Sequence, residues 1–329
     1  MQNRKIGDFD VRPLGLGCWA IGGEFWEGNK PLGWGKVDDN ASIQAIQFAL
    51  DNGINFIDTA NIYGAGHSEK VIAKAIQGRR DKVILSSKFG FDADEQTKQV
   101  LGAFSKPDEI VAMCDASLRR LNTDYLDIYY FHIGDYDKQE VMVVADTLDD
   151  LVRQGKIRSY GWSTDDVDNA QALIKRDHYV SVQFESNVLS PNTAMTKMCE
   201  QQGIAGVNRG PLAMGLLSGK YRDGNELSES DIRKVSPDWM LYFKDGKPSK
   251  ELIYRLDSIR DILTADDRSL TQGALAWLWA NGQRNIPIPG FRTVEQLSQN
   301  IAALDKAPMT PDQMAEIQAL LSVDAEALV

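Results

Sequence analysis

The chain of 329 residues is poor in the residues that most often mark a site. It has three cysteines and three histidines. Cys18, Cys114 and Cys199 are scattered with no CxxC pair, which excludes a recognisable zinc or thiol–disulfide motif and fits the reduced thiols of a cytoplasmic protein. So few histidines leave no His-rich metal site. No apolar run approaches the roughly 20 residues that span a bilayer, and the stretch from Gly273 to Ala280 is far too short. Residues Met1 to Asp10 are polar and charged, without the apolar centre of a secretory leader. Basic residues are outnumbered, 36 against 47 acidic, for a formal net charge of −11. Long-range repulsion then disfavours nucleic acid or an anionic membrane as partner, although a local basic pocket can still hold a phosphate. Also missing is a G-x-G-x-x-G turn after an early strand: Gly15 and Gly17 are followed by Cys18 and Trp19. A Rossmann nucleotide site therefore lacks its signature.

What is present is an alternation. With 43% hydrophobic and 25% charged residues the composition is that of a globular protein. Short apolar runs predict strands at Leu14–Cys18, Asn55–Asp58, Lys82–Ser87, Leu126–Phe131, Ile157–Trp162, Ser181–Phe184, Ile204–Val207 and Ile286–Ile288. Helical periodicity lies between them. Asp39–Asn52 carries Ile43, Ile46 and Ala49 at helical spacing; Lys106–Leu121 opens with Pro107 and Glu109 in the first turn; Val141–Gln154 is followed by Gly155 as a stop signal. Eight strands alternating with helices imply an α/β protein with a parallel sheet, either a doubly wound sheet or a closed (β/α)8 TIM barrel. The absent nucleotide turn favours the barrel. No repeat or linker divides residues 1–329, so one domain is expected. Residues 2–12 read as a short hairpin covering one end. The polar stretch Tyr221–Lys250 reads as an excursion between strands seven and eight, and the segment after Pro311 as a C-terminal helix.

In such a barrel the active groups stand at the C-terminal ends of the strands. Asp58 ends "INFIDTA", Tyr63 follows in "NIYGAGHSEK", Lys88 ends "VILSSKFG" and His132 ends "IYYFHIGD". Each alone has a plainer reading: a cap, a packing ring, a structural histidine. Together they stand at one height on three strands. A set of this kind suits carbonyl reduction, which needs a proton donor for the oxygen as hydride reaches the carbon. A free phenol titrates near ~10, and a cation such as Lys88 is expected to lower that by roughly 1–3 units. Asp58 would keep the lysine charged, and His132 would orient the carbonyl.

These stretches, with "PLGLGCWAIGG", "LVRQGKIRSYGWST", "PLAMGLLSGKY" and "IPGFRTVEQLSQNIAAL", resemble the aldo-keto reductases over almost the whole chain. The resemblance implies a (β/α)8 barrel, NADP(H) bound in extended form, and a tetrad of Asp58, Tyr63, Lys88 and His132, with Tyr63 as general acid in reduction. It places Ser163 and Gln183 on the nicotinamide carboxamide, with Asp58 and the first-loop residues Gly17, Cys18 and Trp19 nearby. It makes Pro211–Lys220, preceded by Gly210 and including Leu212, Gly215, Leu217, Gly219 and Lys220, the loop that wraps the pyrophosphate. It sets Arg292 and Gln296, after Gly290, on the adenosine 2′-phosphate, and Asn300 on the adenine. Arg292, Gln296 and Asn300 also fit the polar face of a helix.

Two positions depart from the family pattern. Thr164 stands where asparagine often follows the carboxamide serine, and Arg209 stands where an aromatic residue often stacks on the nicotinamide. The guanidinium of Arg209 is expected either to bias the cofactor toward the reduced form or to face an anionic substrate group. Trp19, Phe25, Trp26, Trp34, Phe89 and Trp162 lie near the predicted mouth, and Trp26, Phe89 and Trp162 are taken as substrate-pocket walls. The expected substrate is a small aldehyde, ketone or sugar-like carbonyl, with no metal. The alternatives are an NADP-dependent aldose or alcohol dehydrogenase working in oxidation, and a cofactor-binding regulatory subunit resembling the potassium-channel β subunits. The residues leave the oligomeric state unassigned.

Overall fold

Eight parallel strands pair in strict chain order: β1 (Leu16–Gly17), β2 (Phe56–Asp58), β3 (Ile84–Phe89), β4 (Leu126–Phe131), β5 (Ile157–Ser163), β6 (Tyr179–Glu185), β7 (Ala205–Arg209) and β8 (Asn285–Pro287). The structure, a computed structural model, describes residues 1–221 and 227–327, the last five without their side chains. The first and last strands meet: the amides of Gly15 and Gly17 donate to the carbonyls of Pro287 (2.9 Å) and Pro289 (3.1 Å), and Gly17 bridges Gly290. The sheet is therefore a closed barrel. The seam demands glycine, because a Cβ on Gly17 would stand 2.4 Å from the Ile288 carbonyl oxygen.

Helices α1 (Asp39–Asp51), α2 (His67–Ala75), α3 (Pro107–Leu121), α4 (Glu140–Arg153), α5 (Val167–Ala172) and α6 (Thr193–Gln202) carry the first crossovers. Their ends follow from local chemistry. Asp38 caps α1 by accepting from the amides of Asn40 and Ala41. Pro107 opens α3, and Glu109 folds back onto the Lys106 amide at 2.9 Å. Gly155, at φ +74°, follows the end of α4.

Alternation sorts side chains to the two faces of the barrel wall. Ile128, Tyr130, Val207, Ile286 and Ile288 fill the lower interior. Tyr129, Phe131, Tyr160 and Trp162 face the helices. The N-terminal hairpin, Arg4–Ile6 with Phe9–Val11, plugs the bottom with Ile6 and Val11.

The excursion after β7 contains a 3-10 turn (Ala213–Ser218) and α7 (Ile232–Val235); its residues 222–226 lie outside the described residues. It packs through Leu216, Leu217, Tyr242 and Phe243 on α8 (Lys250–Thr264) and α9 (Leu270–Asn281). After β8 come α10 (Val294–Ala302) and the C-terminal α11 (Pro311–Ala327). The excursion also reaches the first loop: Ile232 N donates to Gly33 O at 2.8 Å, and Trp34 pairs with Asp231. Two distant segments thus bridge part of the barrel mouth. Among the described residues no helix is long and apolar enough to cross a membrane, and no group of three or more His, Cys, Asp or Glu could hold a metal.

Candidate active site

Strand parity brings the polar groups inward above the apolar plug. On β3, Ser86 and Lys88 point into the barrel while Ser87 and Phe89 point out. Asp58 on β2 pairs in register with Ser86. Asp58 is almost fully buried and holds three donors: Lys88 Nζ at 2.6 Å, Ser86 Oγ at 2.8 Å and Gln183 Nε2 at 2.9 Å. Lys88, with no solvent exposure, spends its remaining donors on the Thr59 carbonyl (2.8 Å) and the Tyr63 hydroxyl (3.4 Å).

Tyr63 sits on a turn that glycine makes possible. Gly64 has φ +60°, and a Cβ there would stand 1.8 Å from the Gly22 carbonyl. The first and second loops are clasped at this contact, which fixes the Tyr63 backbone. His132 follows β4, anchored by its amide on the Phe89 carbonyl at 2.8 Å. Its ring meets Tyr63 edge-on with centroids 6.1 Å apart, and its Nδ1 is buried without a partner. The four residues expected to act together are therefore brought together.

Their titration follows from these surroundings. Burial pulls the Lys88 ammonium down, but Asp58 and Tyr63, by charge and hydrogen bond, outweigh it and hold its pKa above the ordinary value. Burial, then the charges of Lys88 and Arg209, push His132 well below the usual imidazole range, so it is neutral and keeps one N–H to donate. Tyr63 departs from expectation. Lys88 does pull its pKa down, but burial wins and the net shift is upward. The phenol is a protonated group at neutral pH.

The aromatic surroundings also differ from expectation. Phe89 is fully buried against Tyr129 and Phe131. Trp162 packs on Phe131 and donates its indole N–H to Ile133 O at 2.8 Å. Both stand between sheet and helices and wall no pocket, because a residue next to an inward-facing one on a strand must face outward. Trp26 lies in a short hairpin of the first loop, bridged to Gln99. The rings around Tyr63 are instead Trp19, stacked at 5.9 Å, and, through Trp19, Trp34 at 5.5 Å and Trp239 at 6.4 Å. Phe91 stands edge-on to His132 at 6.0 Å. Trp239 and Phe91 were not anticipated. Trp239 is 53% exposed and comes from the excursion, which has no periodicity to orient its side chains.

The remaining expected residues divide. Ser163 and Gln183 pair in register at the ends of β5 and β6, one beside the other. The Cys18 thiol is enclosed by the wall, its amide donates to Asp58 O, and its carbonyl accepts from Ser68 Oγ. Thr164 Oγ1 donates to Gly134 O at 2.7 Å. Both side chains are engaged within the protein. In the turn after Gly210, the amides of Gly215 and Leu217 both donate to Leu212 O, and that of Gly219 to Leu216 O, with Gly210, Gly215 and Gly219 at positive φ. Lys220 ends the turn.

Arg292 donates to Trp34 O, and its amide to Gln296 Oε1 at 2.7 Å. With Lys36, Ser228, Ser230 and Arg233 it lines a cleft of about 670 Å³. Burial lowers its pKa, Asp231 being the first opposing charge, and among the described residues no carboxylate lies within ion-pair distance of it. Asn300, on α10, has a buried Nδ2 with no partner among the described residues.

Arg209, expected either to bias the cofactor toward its reduced form or to face an anionic substrate group, is paired within the protein: Nη1 donates to Glu185 Oε2 at 2.8 Å and Nη2 to Asp165 Oδ2. Asp165 and Glu185 were missed in the sequence, although each stands two residues beyond an expected inward-facing residue, Ser163 and Gln183.

A sequence model described as the Aldo/keto reductase family matches residues 13–322. The chain is 30% identical over 328 residues to "Aldo-keto reductase yakc [NADP(+)]" of Schizosaccharomyces pombe, covering 97% of this chain and 91% of that protein. Among solved structures, the glycerol dehydrogenase AKR11B4 of Gluconobacter oxydans is 26% identical with a TM-score of 0.82, covering 98% of this chain and 96% of that one. An aldo-keto reductase of Klebsiella pneumoniae in complex with NADPH is 26% identical with a TM-score of 0.70, covering 97% and 95%.

Proposed function

Because the chain belongs to the aldo/keto reductase family, we propose that it is an NADP(H)-dependent oxidoreductase that reduces an aldehyde, a ketone or a sugar-like carbonyl, with Tyr63 as general acid. The cofactor is drawn from the relatives named for NADP(+) and NADPH. The residues present fit it. Arg292 is a partly buried guanidinium with no carboxylate partner among the described residues, facing a cleft that also holds Lys36 and two serine hydroxyls. That donor set suits a phosphate monoester. The Asn300 Nδ2, without a partner among the described residues, is available to a base. Ser163 and Gln183 are assigned to the carboxamide, the turn from Gly210 to Lys220 to the pyrophosphate, and Arg292 with Gln296 to the 2′-phosphate. Gly17 and Gly290 serve the site through the seam, and Cys18 and Thr164 through their backbone.

When bound, NADPH would supply the hydride that a carbonyl carbon needs. The chain manages the proton. Tyr63 Oη accepts from Lys88 Nζ, which leaves its own proton to be donated outward, toward the carbonyl oxygen. Carbon gains hydride, oxygen gains a proton, and the product is an alcohol. The phenolate left behind faces an ammonium that Asp58 keeps charged. Neutral His132 donates a hydrogen bond that orients the carbonyl. Trp19 and Trp239 form an apolar approach suited to a ring or an alkyl chain.

The observation that carries this reading is the buried chain from Asp58 through Lys88 to Tyr63, ending on a hydroxyl at the mouth. A second reading, oxidation of a polyol or other alcohol by the same groups in reverse, is favoured by the likeness to a glycerol dehydrogenase. The test follows loss of NADPH absorbance against a panel of aldehydes, ketones and sugars, for wild type and Tyr63→Phe. The expected result is a fall of roughly 10²-fold or more with cofactor affinity retained. Full activity in Tyr63→Phe would refute the acid role, and tight NADPH binding with no turnover of any substrate would favour a regulatory subunit.

A further inference from the structure

The clamp on Arg209 lies outside the chain from Asp58 through Lys88 to Tyr63. Register places it: β5 pairs with β6 at Ser163 and Gln183, and β6 with β7 at Glu185 and Arg209. Glu185 stands two residues beyond Gln183, on the same face of β6 and nearer the mouth. Asp165 stands two beyond Ser163. Two residues along an extended strand cover about 6–7 Å. The clamp therefore lies one step outside the two residues assigned to the nicotinamide carboxamide, within reach of a ring held there.

Each part of the clamp is held from a second side. Tyr242 Oη donates to Glu185 Oε1 and accepts from Asn187 Nδ2, the latter at 2.6 Å. Asp165 Oδ1 accepts from the Glu185 amide at 2.7 Å. Arg209 is close enough to the reaction centre for its charge to be felt at both Tyr63 and His132. An unopposed guanidinium there would disfavour the cationic oxidised nicotinamide. Two carboxylates against one guanidinium reverse the local sum.

We propose that Asp165 and Glu185 are positioning residues for Arg209, holding its guanidinium as a fixed plate beside the nicotinamide and offsetting its charge so that the site accepts the oxidised, cationic cofactor. This rests on the assignment of Ser163 and Gln183 to the carboxamide. The clamp sets the relative affinity for NADP+ and NADPH.

The test is the ratio of dissociation constants, Kd(NADP+) over Kd(NADPH), from quenching of tryptophan fluorescence in the apoprotein. Glu185→Gln and Asp165→Asn should each raise that ratio by about fivefold, the order expected of one unit charge several Å away at a partly exposed site. Arg209→Met, which leaves both carboxylates, should lower it, so the inference stands or falls even where one variant does not fold. A ratio unchanged within about twofold in the folded variants would overturn it while leaving the reductase reading intact. Wild type that binds neither cofactor would overturn both.

Discussion

Asp58→Asn is the sharpest test of the buried chain, because it removes one charge and almost no volume. Lys88 has no exposure, and its ammonium depends on Asp58 at 2.6 Å. Removing one partner of a buried ion pair costs about 3–5 kcal/mol, so that loss is expected at pH 7. The pH dependence gives the test its force. In wild type, burial lowers the Lys88 pKa, but Asp58 and Tyr63 raise it past the ordinary 10.5. A raised folded value means that the stabilisation is fully present below 10.5 and is lost only as pH climbs through the folded pKa. In Asp58→Asn the main opposition to burial is gone, and the folded pKa of Lys88 drops below the unfolded one. Protonating the lysine then costs stability, and the variant regains it as pH rises from its new folded pKa toward 10.5. The gain is at most about 1.4 kcal/mol per pH unit. Guanidinium unfolding of both proteins at pH 7, 8, 9 and 10 measures this directly. The gap between them should narrow as pH rises. A constant gap, or a cost under about 1 kcal/mol at pH 7, would mean that Lys88 is not a buried cation held by Asp58.

Three further outcomes are expected. Gly17→Ala should lower stability by about 1–3 kcal/mol in thermal melts, since its Cβ would meet the Ile288 carbonyl in the seam; an unchanged melt would refute the closure geometry. Trp239→Ala should raise KM for aromatic aldehydes while leaving the melting curve in place, whereas Phe89→Leu should lower stability by about 1–2 kcal/mol and leave KM unchanged; the reverse pattern would return Phe89 to the pocket. Because burial outweighs Lys88 and raises the Tyr63 pKa, reduction should show no alkaline decline from Tyr63 between pH 6 and 9, while alcohol oxidation, which needs the phenolate, should climb about tenfold per pH unit over that range. A plateau in oxidation near pH 7 would contradict the upward shift.

The strands were legible because each is a short apolar run of β-branched and aromatic residues bounded by polar turns. All eight are found, with ends displaced by a few residues. Asp58, Lys88 and His132 were legible because a charged residue closing such a run has few places to go except the strand's mouth. What failed was parity. Once Lys88 points inward, Phe89 must point outward, and the same holds for Ser163 and Trp162; nearness to the strand ends says nothing of which face a side chain takes. The direction of the Tyr63 shift was not legible, because burial is a sum over neighbours from loops far apart in the chain. The partners of Arg209 come from the loop just beyond β5 and from the end of β6, and Tyr242 from an excursion without periodic pattern. A single arginine in the sequence carries no sign of the carboxylates that will neutralise it.

The seam between β1 and β8 has a consequence for how the chain is made. Every other pairing joins strands that are neighbours in sequence, so each can form soon after its second member appears. The bonds of Gly15 and Gly17 wait for Pro287 and Pro289, which a ribosome delivers only after the seven earlier strands. Until then the nascent sheet carries two unpaired edges, and the N-terminal hairpin has no complete floor to plug. Chains halted before residue 285 should be cut readily by protease at the first strand, and chains halted after residue 327, held clear of the ribosome by an added tether, should resist. The barrel thereby delays its own completion until its last strand is made, and any quality control that recognises open sheet edges reads this protein as unfinished until then.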